Sequence, residues 1–325
     1  MNPLLEREKG LLELERRIED LRSANEGQRI DMSTEIASLE SKYRQLLAEV
    51  FGSLSPWEKV HMARHPRRPT TLDYIAGLDA FDELHGDRMF RDDPAIVGGF
   101  ARLGGHSIVA IGQQRGRDMK ENLARNFGMS TPEGYRKGER LALLAQRFNL
   151  PLVTFVDTKG ADPGILSEEH AQSEAIAASL EVFAALQVPT LCIIIGEGGS
   201  GGALALAIAD RVLMLEHSVY SVASPEGCAA ILWGDASKAD EAAAHLKLTA
   251  ADLRGFGIVD EVIPEPLGGA HRDPAATVTR VLDRIGAVLD ILESFSLPAL
   301  LDARYEKYRR LGSWRESVAG SEGAT

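Results

Sequence analysis

A buried strand, a run of glycines and the start of a helix follow one another in residues 191–210, which read LCIIIGEGGSGGALALAIAD. The apolar residues before Gly196 are typical of a strand that is covered on both faces. Five of the seven residues at 196–202 are glycines, so a ligand can approach the backbone closely. The helix that follows adds unpaired N–H groups and the positive end of its dipole. This stretch therefore predicts a binding site for an oxyanion, a phosphate or a carboxylate.

A generic dinucleotide-binding motif matches the same run. Gly196, Gly198 and Gly201 have the spacing of the Rossmann fingerprint, and Glu216 follows about 20 residues later, where that fold places a ribose-binding acid. A short motif inside a glycine-rich stretch matches by chance more often than elsewhere. The match leaves a phosphate cradle as one interpretation of the run.

A serine-hydrolase motif matches it as well. Gly198-x-Ser200-x-Gly202 has the spacing of a nucleophile elbow, in which Ser200 would attack the substrate. The candidate triad partners follow in the chain order of hydrolases, and they are Asp235 or Asp240 and then His245 or His271. The glycines alone leave a phosphate cradle, a nucleophile elbow and an oxyanion hole open.

The composition excludes several other classes of protein. The chain has 325 residues, of which 44% are apolar, and its net charge is −12. Nucleic-acid binding needs a basic surface, so general binding of this kind is not expected. No apolar run approaches the roughly 20 residues of a membrane span, and the N-terminus lacks a signal-peptide core. Cys192 and Cys228 lie too far apart for a zinc site, so we expect a cytoplasmic protein without its own metal.

Residues 1–52 are predicted to form an antiparallel helical hairpin. Apolar residues such as Leu11 and Ile18 recur at helical spacing on both sides of a polar break. Such a hairpin must pack on the rest of the chain or on another subunit to bury its apolar stripes. The sequence then predicts a linker at residues 65–69 (HPRRP) within the start of a main domain at residues 53–312, and a flexible tail at residues 313–325.

The main domain shows the pattern of an α/β fold. Residues 96–103 and 107–113 are predicted strands, joined by the hairpin signal Gly104-Gly105. Three continuous apolar runs with helices between them follow, at residues 152–156, 190–195 and 211–215. Ser167 is the expected N-cap of the helix after the first run. Strands that alternate with helices predict a mainly parallel inner sheet.

The chain resembles the carboxyltransferase alpha subunits of bacterial acetyl-CoA carboxylase at residues 195–204 (IGEGGSGGAL). The resemblance continues in the same order along about residues 60–275. The matching blocks are residues 63–66 (ARHP), 71–74 (TLDY), 86–88 (GDR), 95–99 (AIVGG), 125–129 (RNFGM), 132–137 (PEGYRK), 172–177 (QSEAIA), 220–222 (YSV), 224–228 (SPEGC) and 265–272 (EPLGGAHR).

This resemblance implies a crotonase-like α/β fold, a spiral of β-β-α units preceded by the helical hairpin. It implies transfer of a carboxyl group from carboxybiotin to acetyl-CoA, which gives malonyl-CoA. The implied partners are a beta subunit in an alpha2-beta2 complex, the biotin carboxyl carrier protein and biotin carboxylase. In this family the thioester oxyanion hole and a zinc ribbon belong to the beta subunit. Biotin's oxyanion hole is expected at Gly201 and Gly202, with Ser200 as a spacer.

The resemblance also implies a biotin pocket that includes a second loop, residues 157–164. The expected pocket residues are Gly198, Gly199, Gly160, Ala161, Pro163 and Gly164. The sequence departs from the family pattern at Lys159, where proline is expected, at Asp162, where an aromatic residue is expected, and at Gln113, which replaces histidine. We therefore expect looser backbone restraint in the second loop. Ordinary drift or altered biotin handling would each explain these departures.

Residues 115–147 are locally basic, with eight basic and four acidic residues. One interpretation is a solvated helix face with i,i+4 ion pairs. The other is that Arg115 or Arg117 contacts CoA phosphates or an acidic carrier domain. At the level of the whole chain, the alternatives to a carboxyltransferase subunit are a serine hydrolase that uses Ser200 and a non-catalytic scaffold that has kept the fold.

Overall fold

A computed structural model describes residues 3–27 and 32–312, and the predicted tail at residues 313–325 lies outside them. Eight strands in these residues join one mixed sheet. They are β1 (Ala80–Glu83), β2 (Ile96–Leu103), β3 (His106–Gln113), β4 (Leu152–Thr158), β5 (Thr190–Gly199), β6 (Arg211–Leu215), β7 (Val219–Ser221) and β8 (Glu261–Ile263). The strand order is β1-β2-β3-β4-β5-β6-β8, and β7 pairs with the end of β5.

The sheet is antiparallel at one edge and parallel elsewhere. β2 and β3 form the predicted hairpin, in which Gly104 has a φ of +57°, a conformation that favours glycine. All the pairings from β3 to β8 are parallel, as is the pairing of β5 with β7. The prediction of an α/β fold with a mainly parallel inner sheet is confirmed.

Helices surround the sheet, and none in the described ranges is long and apolar enough to cross a membrane. They are α1 (Pro3–Gly27), α2 (Ser33–Phe51), α3 (Pro56–Ala63), α4 (Thr71–Ala76), α5 (Met119–Ala124), α6 (Pro132–Phe148), α7 (Ile165–Glu169), α8 (Gln172–Ala185), α9 (Ser200–Ala207), α10 (Pro225–Trp233), α11 (Ala239–Leu246), α12 (Ala250–Gly255), α13 (Pro274–Glu293) and α14 (Leu297–Arg309).

The inner strands contain continuous apolar runs because their two faces contact different helical layers. Cys192 and Ile194 of β5 belong to a core that includes α6, α8, α9 and α12. Their neighbours Ile193 and Ile195 belong to a second core with α4, α13 and α14. Successive side chains of a strand point to opposite faces, so a strand between two cores reads as a continuous apolar run.

The N-terminal helices α1 and α2 pack on each other and on the same chain. Leu11 of α1 and Leu47 of α2 are buried in one cluster with Met62 of α3. Arg272 donates to Glu15 of α1 and to the hydroxyl of Tyr43 of α2. Of the two packing arrangements that the sequence left open, the structure therefore has the hairpin on the body of its own chain.

Two local predictions were wrong. Ser167 lies inside α7, which begins at Ile165, and its hydroxyl donates to Asp162 at 2.5 Å instead of capping a helix. The segment predicted as a linker contains Arg68, whose side chain is fully buried. Arg68 donates to the Ile195 carbonyl at 2.6 Å and forms an ion pair with Glu265. This segment is therefore anchored to β5.

Candidate functional site

The glycine run is divided between a strand and a helix. β5 continues to Gly199, and α9 begins at Ser200. At Gly198 the strand pairs with Thr158 of β4 on one side and with Tyr220 of β7 on the other. The first part of the run is thus held in the sheet, and the second part forms the first turn of a helix.

The strand glycines leave space that neighbouring side chains fill. A Cβ on Gly196 would lie 2.6 Å from the carboxyl carbon of Asp157, and one on Gly198 would lie 2.7 Å from the ring of Tyr220. If the run were a dinucleotide site, these two glycines would form its phosphate-binding turn. They lie instead in a buried strand, and Glu216 accepts from the backbone N–H of Glu265 at 3.1 Å. The dinucleotide interpretation is therefore wrong.

Gly201 and Gly202 lie in the first turn of α9. Among the described residues no acceptor pairs with either backbone N–H, as is usual in the first turn of a helix. Gly202 is buried and Gly201 is partly exposed. A Cβ on Gly202 would contact the Ala161 nitrogen and would lie 2.8 Å from the Tyr135 hydroxyl. The geometry presents two free N–H groups on a helix start that is wedged against the second loop.

Ser200 has a positive φ, as in a nucleophile elbow, but among the described residues its hydroxyl lacks the histidine partner that a nucleophile needs. It is exposed, and its φ of +55° is unusual for a residue with a side chain. Of the predicted partners, His271 stacks on His65 at 3.8 Å between ring centroids, and His245 faces Trp233 at 6.4 Å. In the described part of the chain no histidine is hydrogen-bonded to the Ser200 hydroxyl. The structure does not assemble the triad of a serine hydrolase.

The second loop meets the start of α9. The Thr158 hydroxyl donates to the Gly160 carbonyl at 2.7 Å and accepts from the Gly160 N–H at 3.1 Å. Ala161 contacts the position of Gly202, while Pro163 and Gly164 continue toward α7. The structure therefore brings the glycines of the two predicted loops together.

Asp162 restrains the second loop, and looser backbone restraint than in the family pattern stays a prediction. Asp162 accepts from Asn126 at 3.0 Å, from the Ser167 hydroxyl at 2.5 Å and from the Gly164 N–H at 3.3 Å. Burial alone would raise the pKa of Asp162, but these hydrogen bonds outweigh it and lower the pKa. The Asp162 carboxylate restrains the loop through hydrogen bonds. The sequence, in which Asp162 stands where the family pattern has an aromatic residue, did not predict these bonds.

The two basic residues proposed to contact CoA occupy different environments. Arg115 is mostly buried, with its Nε 2.8 Å from Asp157, and it also donates to the Ala63 carbonyl. Burial raises the pKa of Asp157, although Arg115 opposes this effect. Arg117 is exposed and pairs with Asp73. Only Arg117 presents its guanidinium to solvent, and a CoA contact by either arginine stays a prediction.

The sequence did not predict a partly buried ion-pair network near the run. Arg64 donates from Nε to Glu197 at 2.8 Å and from Nη1 to Glu226 of α10 at 2.5 Å. Burial would lower the pKa of Arg64, but the two carboxylates raise it. An acidic residue inside a buried glycine-rich strand needs a partner. The position of Glu197 in the sequence could therefore have predicted an ion pair here. The network fixes α10 against the end of β5.

The described residues contain no group of three or more His, Cys, Asp or Glu side chains arranged to hold a metal ion. The candidate site consists of backbone groups of α9 and the second loop, supported by the buried side chains of Asp157 and Gln113 and the partly buried side chain of Arg64. This arrangement can bind and stabilise negative charge without a metal or a side-chain nucleophile.

Residues 4–312 match the family model described as acetyl co-enzyme A carboxylase carboxyltransferase-like. The chain is 52% identical to the acetyl-coenzyme A carboxylase carboxyl transferase subunit alpha of Burkholderia cenocepacia (strain HI2424), over 98% of each chain. It is also 52% identical to the subunit of the same name from Xylella fastidiosa (strain M12), over 97% of this chain and 99% of the relative.

Solved structures share the fold at low sequence identity. The transcarboxylase 12S structure with methylmalonyl-coenzyme A bound is 20% identical, with a TM-score of 0.53 over 77% of this chain and 43% of that one. A chain of the Pseudomonas malonate decarboxylase hetero-tetramer in complex with coenzyme A is 20% identical, with a TM-score of 0.52 over 66% of this chain and 88% of that one. The predicted carboxyltransferase fold of the crotonase-like class is confirmed. The chain belongs to the family of acetyl-CoA carboxylase carboxyltransferase alpha subunits.

Proposed function

We propose that this chain is the alpha subunit of an acetyl-CoA carboxylase carboxyltransferase, which transfers a carboxyl group from carboxybiotin to acetyl-CoA and forms malonyl-CoA. The single observation that carries the chemistry is the pair of N–H groups at Gly201 and Gly202, which have no acceptor in the described residues. Family membership supplies the reaction, and these donors supply a place where its negative charge can be stabilised.

The reaction needs such a place because charge develops on both substrates. The C–N bond of carboxybiotin breaks, CO2 leaves, and the electron pair stays on the ureido group. The ureido anion then takes a proton from the acetyl methyl group, and the resulting thioester enolate forms a C–C bond with CO2. We assign Gly201 and Gly202 to the ureido oxygen of biotin, where each donor contributes roughly 3–4 kcal/mol by analogy with acyl transfer.

The proposed biotin pocket uses the glycines of both loops. Gly199 packs closely on the second loop, since a Cβ on Gly199 would lie 3.0 Å from the Gly160 nitrogen. Gly160 itself leaves open space, because the nearest heavy atom to its Cβ would be the Gly199 carbonyl oxygen at 4.0 Å. The absence of side chains lets a ring system approach the backbone. The remaining residues assigned to this pocket are Gly198, Ala161, Pro163 and Gly164. The Asp162 hydrogen bonds support the pocket because they fix the loop that carries most of these residues.

The chain is proposed to act with partner proteins. Its relatives are named as alpha subunits, which supports a beta subunit as the necessary partner, and we propose an alpha2-beta2 assembly. The biotin carboxyl carrier protein delivers carboxybiotin, which biotin carboxylase regenerates. We propose that the thioester oxyanion hole and a zinc ribbon lie on the beta subunit, and that the complex is cytoplasmic. Within the alpha chain we propose a hairpin domain at residues 1–52 and a carboxyltransferase domain at residues 53–312.

The decisive test combines the purified chain with a beta subunit from the same family. We expect biotin-dependent decarboxylation of malonyl-CoA to acetyl-CoA, the reverse of the physiological reaction, in which the carboxyl group passes to free biotin. Neither subunit alone should show turnover. A complex that forms without any turnover would identify a scaffold. Labelling of Ser200 by a fluorophosphonate probe would identify a hydrolase and would contradict the proposal.

A further inference from the structure

Gln113 connects the sheet to the helix that carries the proposed oxyanion donors. It is the last residue of β3 and is fully buried. Its side-chain Nε2 donates to the carbonyl of Gly202 at 2.7 Å. Its own carbonyl accepts from the Thr71 hydroxyl at 2.6 Å, so the backbone from which the side chain extends is also fixed.

The orientation of the Gln113 amide follows from this contact. Exchanging the amide oxygen and nitrogen would place two acceptors, the Gln113 oxygen and the Gly202 carbonyl, against each other. In the orientation that donates to Gly202, the Gln113 Oε1 is buried without a donor among the described residues. A buried acceptor without a partner destabilises the fold. An apolar side chain of similar shape would avoid this penalty. The protein nevertheless keeps the glutamine and its hydrogen bond to Gly202.

The start of α9 is held from two sides. The Gln113 amide contacts the Gly202 carbonyl, and the Gly160–Ala161 backbone lies against the Gly202 Cα. The loop contact restricts the position of the helix but has no directional preference, whereas the hydrogen bond is directional. Thr154 of β4 makes a comparable buried contact at the other end of α9, where its hydroxyl donates to the Leu206 carbonyl at 2.7 Å.

We propose that Gln113 is a positioning residue for the carboxyltransferase reaction. By holding the Gly202 carbonyl, it fixes the rotation of the first turn of α9, and this aims the N–H groups of Gly201 and Gly202 at the biotin ureido oxygen. Gln113 does not touch the substrate. The inference rests on the proposed function, because it takes the biotin ureido oxygen as the ligand of those N–H groups.

The test uses three variants of the chain in the complex with the beta subunit. Gln113→Met keeps the length of the side chain and removes the donor. Gln113→His restores an N–H donor and serves as the conservative rescue. Thr154→Val is the matched control, because it removes a buried hydrogen bond from the sheet to the same helix, at the end remote from the N–H groups.

For Gln113→Met we expect kcat for biotin-dependent malonyl-CoA decarboxylation to fall about tenfold or more, since small misplacements of catalytic groups have effects of this order. The KM for malonyl-CoA should not change. The melting temperature should be unchanged or higher, because the unpartnered Oε1 is gone. Thr154→Val should show the opposite pattern, a lower melting temperature with an unchanged kcat. Gln113→His should recover a substantial part of the lost kcat.

A purely structural role would lower stability and activity together, so a parallel loss in Gln113→Met would overturn the proposal. An unchanged kcat in that variant would also overturn it. Failure of the proposed function is distinguishable, because the wild-type complex would then show no biotin-dependent turnover. In that case hydrogen exchange across Ser200–Ala207 still tests the positioning. Faster exchange in Gln113→Met than in Thr154→Val at the hydrogen-bonded amides that follow the first turn, Ala203–Leu206, supports it, and equal exchange contradicts it.

Discussion

A Cβ on Gly202 would lie 2.5 Å from the carbonyl carbon of Gly160. The adjacent Gly201 differs, because its Cβ would have Ile176 as the nearest neighbour at 3.7 Å, an ordinary contact. We therefore expect Gly202→Ala to displace α9 or the second loop, to lower the melting temperature and to abolish turnover. Gly201→Ala should fold with unchanged stability, and only bulkier residues there should block biotin. Thermal unfolding and the decarboxylation assay measure both effects, and equal destabilisation by the two alanines would contradict the packing.

Ser200 is expected to be a spacer with an unfavourable backbone conformation. Ser200→Ala should keep substantial turnover, because the reaction requires no side-chain nucleophile. Ser200→Gly should raise stability by up to about 1 kcal/mol, since glycine adopts a φ of +55° without strain. Chemical denaturation measures the stability and the decarboxylation assay measures the turnover. Near-complete loss of activity in the alanine variant would favour a hydrolase.

The two candidate CoA-binding arginines should respond differently to charge reversal. Arg117→Glu should leave stability nearly unchanged, because this side chain is exposed. If Arg117 contacts CoA phosphates, the same variant should raise the KM for malonyl-CoA, and the effect should increase at low salt. Arg115→Glu should lower stability by about 3–5 kcal/mol, because it leaves the buried Asp157 without its cation. A KM that is independent of salt in Arg117→Glu would count against the CoA contact.

His65 and His271 should make stability depend on pH. Burial, together with neighbouring cationic groups, lowers the pKa of His65 to about 4 and of His271 to about 3. The unfolded chain, with histidine pKa values near 6.5, therefore binds more protons below that pH. Stability should fall as the pH drops from about 6.5 to about 4, by at most about 1.4 kcal/mol per pH unit for each histidine. Denaturation of His65→Gln/His271→Gln should show a flatter profile, and an unchanged profile would contradict the assignment.

Arg272 should hold the helical hairpin on the body. It contacts Glu15, Tyr43 and Glu8, and its guanidinium lies 5.6 Å from the centre of the Phe51 ring. We expect Arg272→Met to speed hydrogen exchange in α1 and α2 while β5 keeps its protection. Arg310→Met, at an exposed site directly after α14, is the control. Equal exchange in both variants would show that apolar packing alone attaches the hairpin.

The sequence predicted the strands of the inner sheet well because their pattern is local. The part of a strand that lies between two apolar cores must be apolar on both faces, and this could be read directly at residues 191–195. The end of β5 at Gly199 could not be predicted, because glycine has a low strand propensity. Its extended conformation depends on pairing with β7 and β4, which are distant in sequence.

Contacts between distant residues account for the remaining differences. Arg68 and Glu265 pair across nearly the whole domain, so a basic segment that looked like a linker is buried. Serine is a common helix N-cap, but the Ser167 hydroxyl donates to Asp162 instead. The hydrogen bond between Gln113 and Gly202 joins residues 89 positions apart, and only the fold shows that a departure from the family pattern lies at the candidate site.

The side chains of Asp157 and Tyr220 occupy the space beside Gly196 and Gly198. A closely packed interior accepts a larger residue only if a neighbour becomes smaller. These positions therefore constrain one another during evolution. A mutation at Gly196 becomes neutral only in a lineage that has already lost the bulk of Asp157, and the same holds for Gly198 and Tyr220. Across the family such substitutions should appear as compensated pairs, so the order in which mutations arise limits how this strand can diverge.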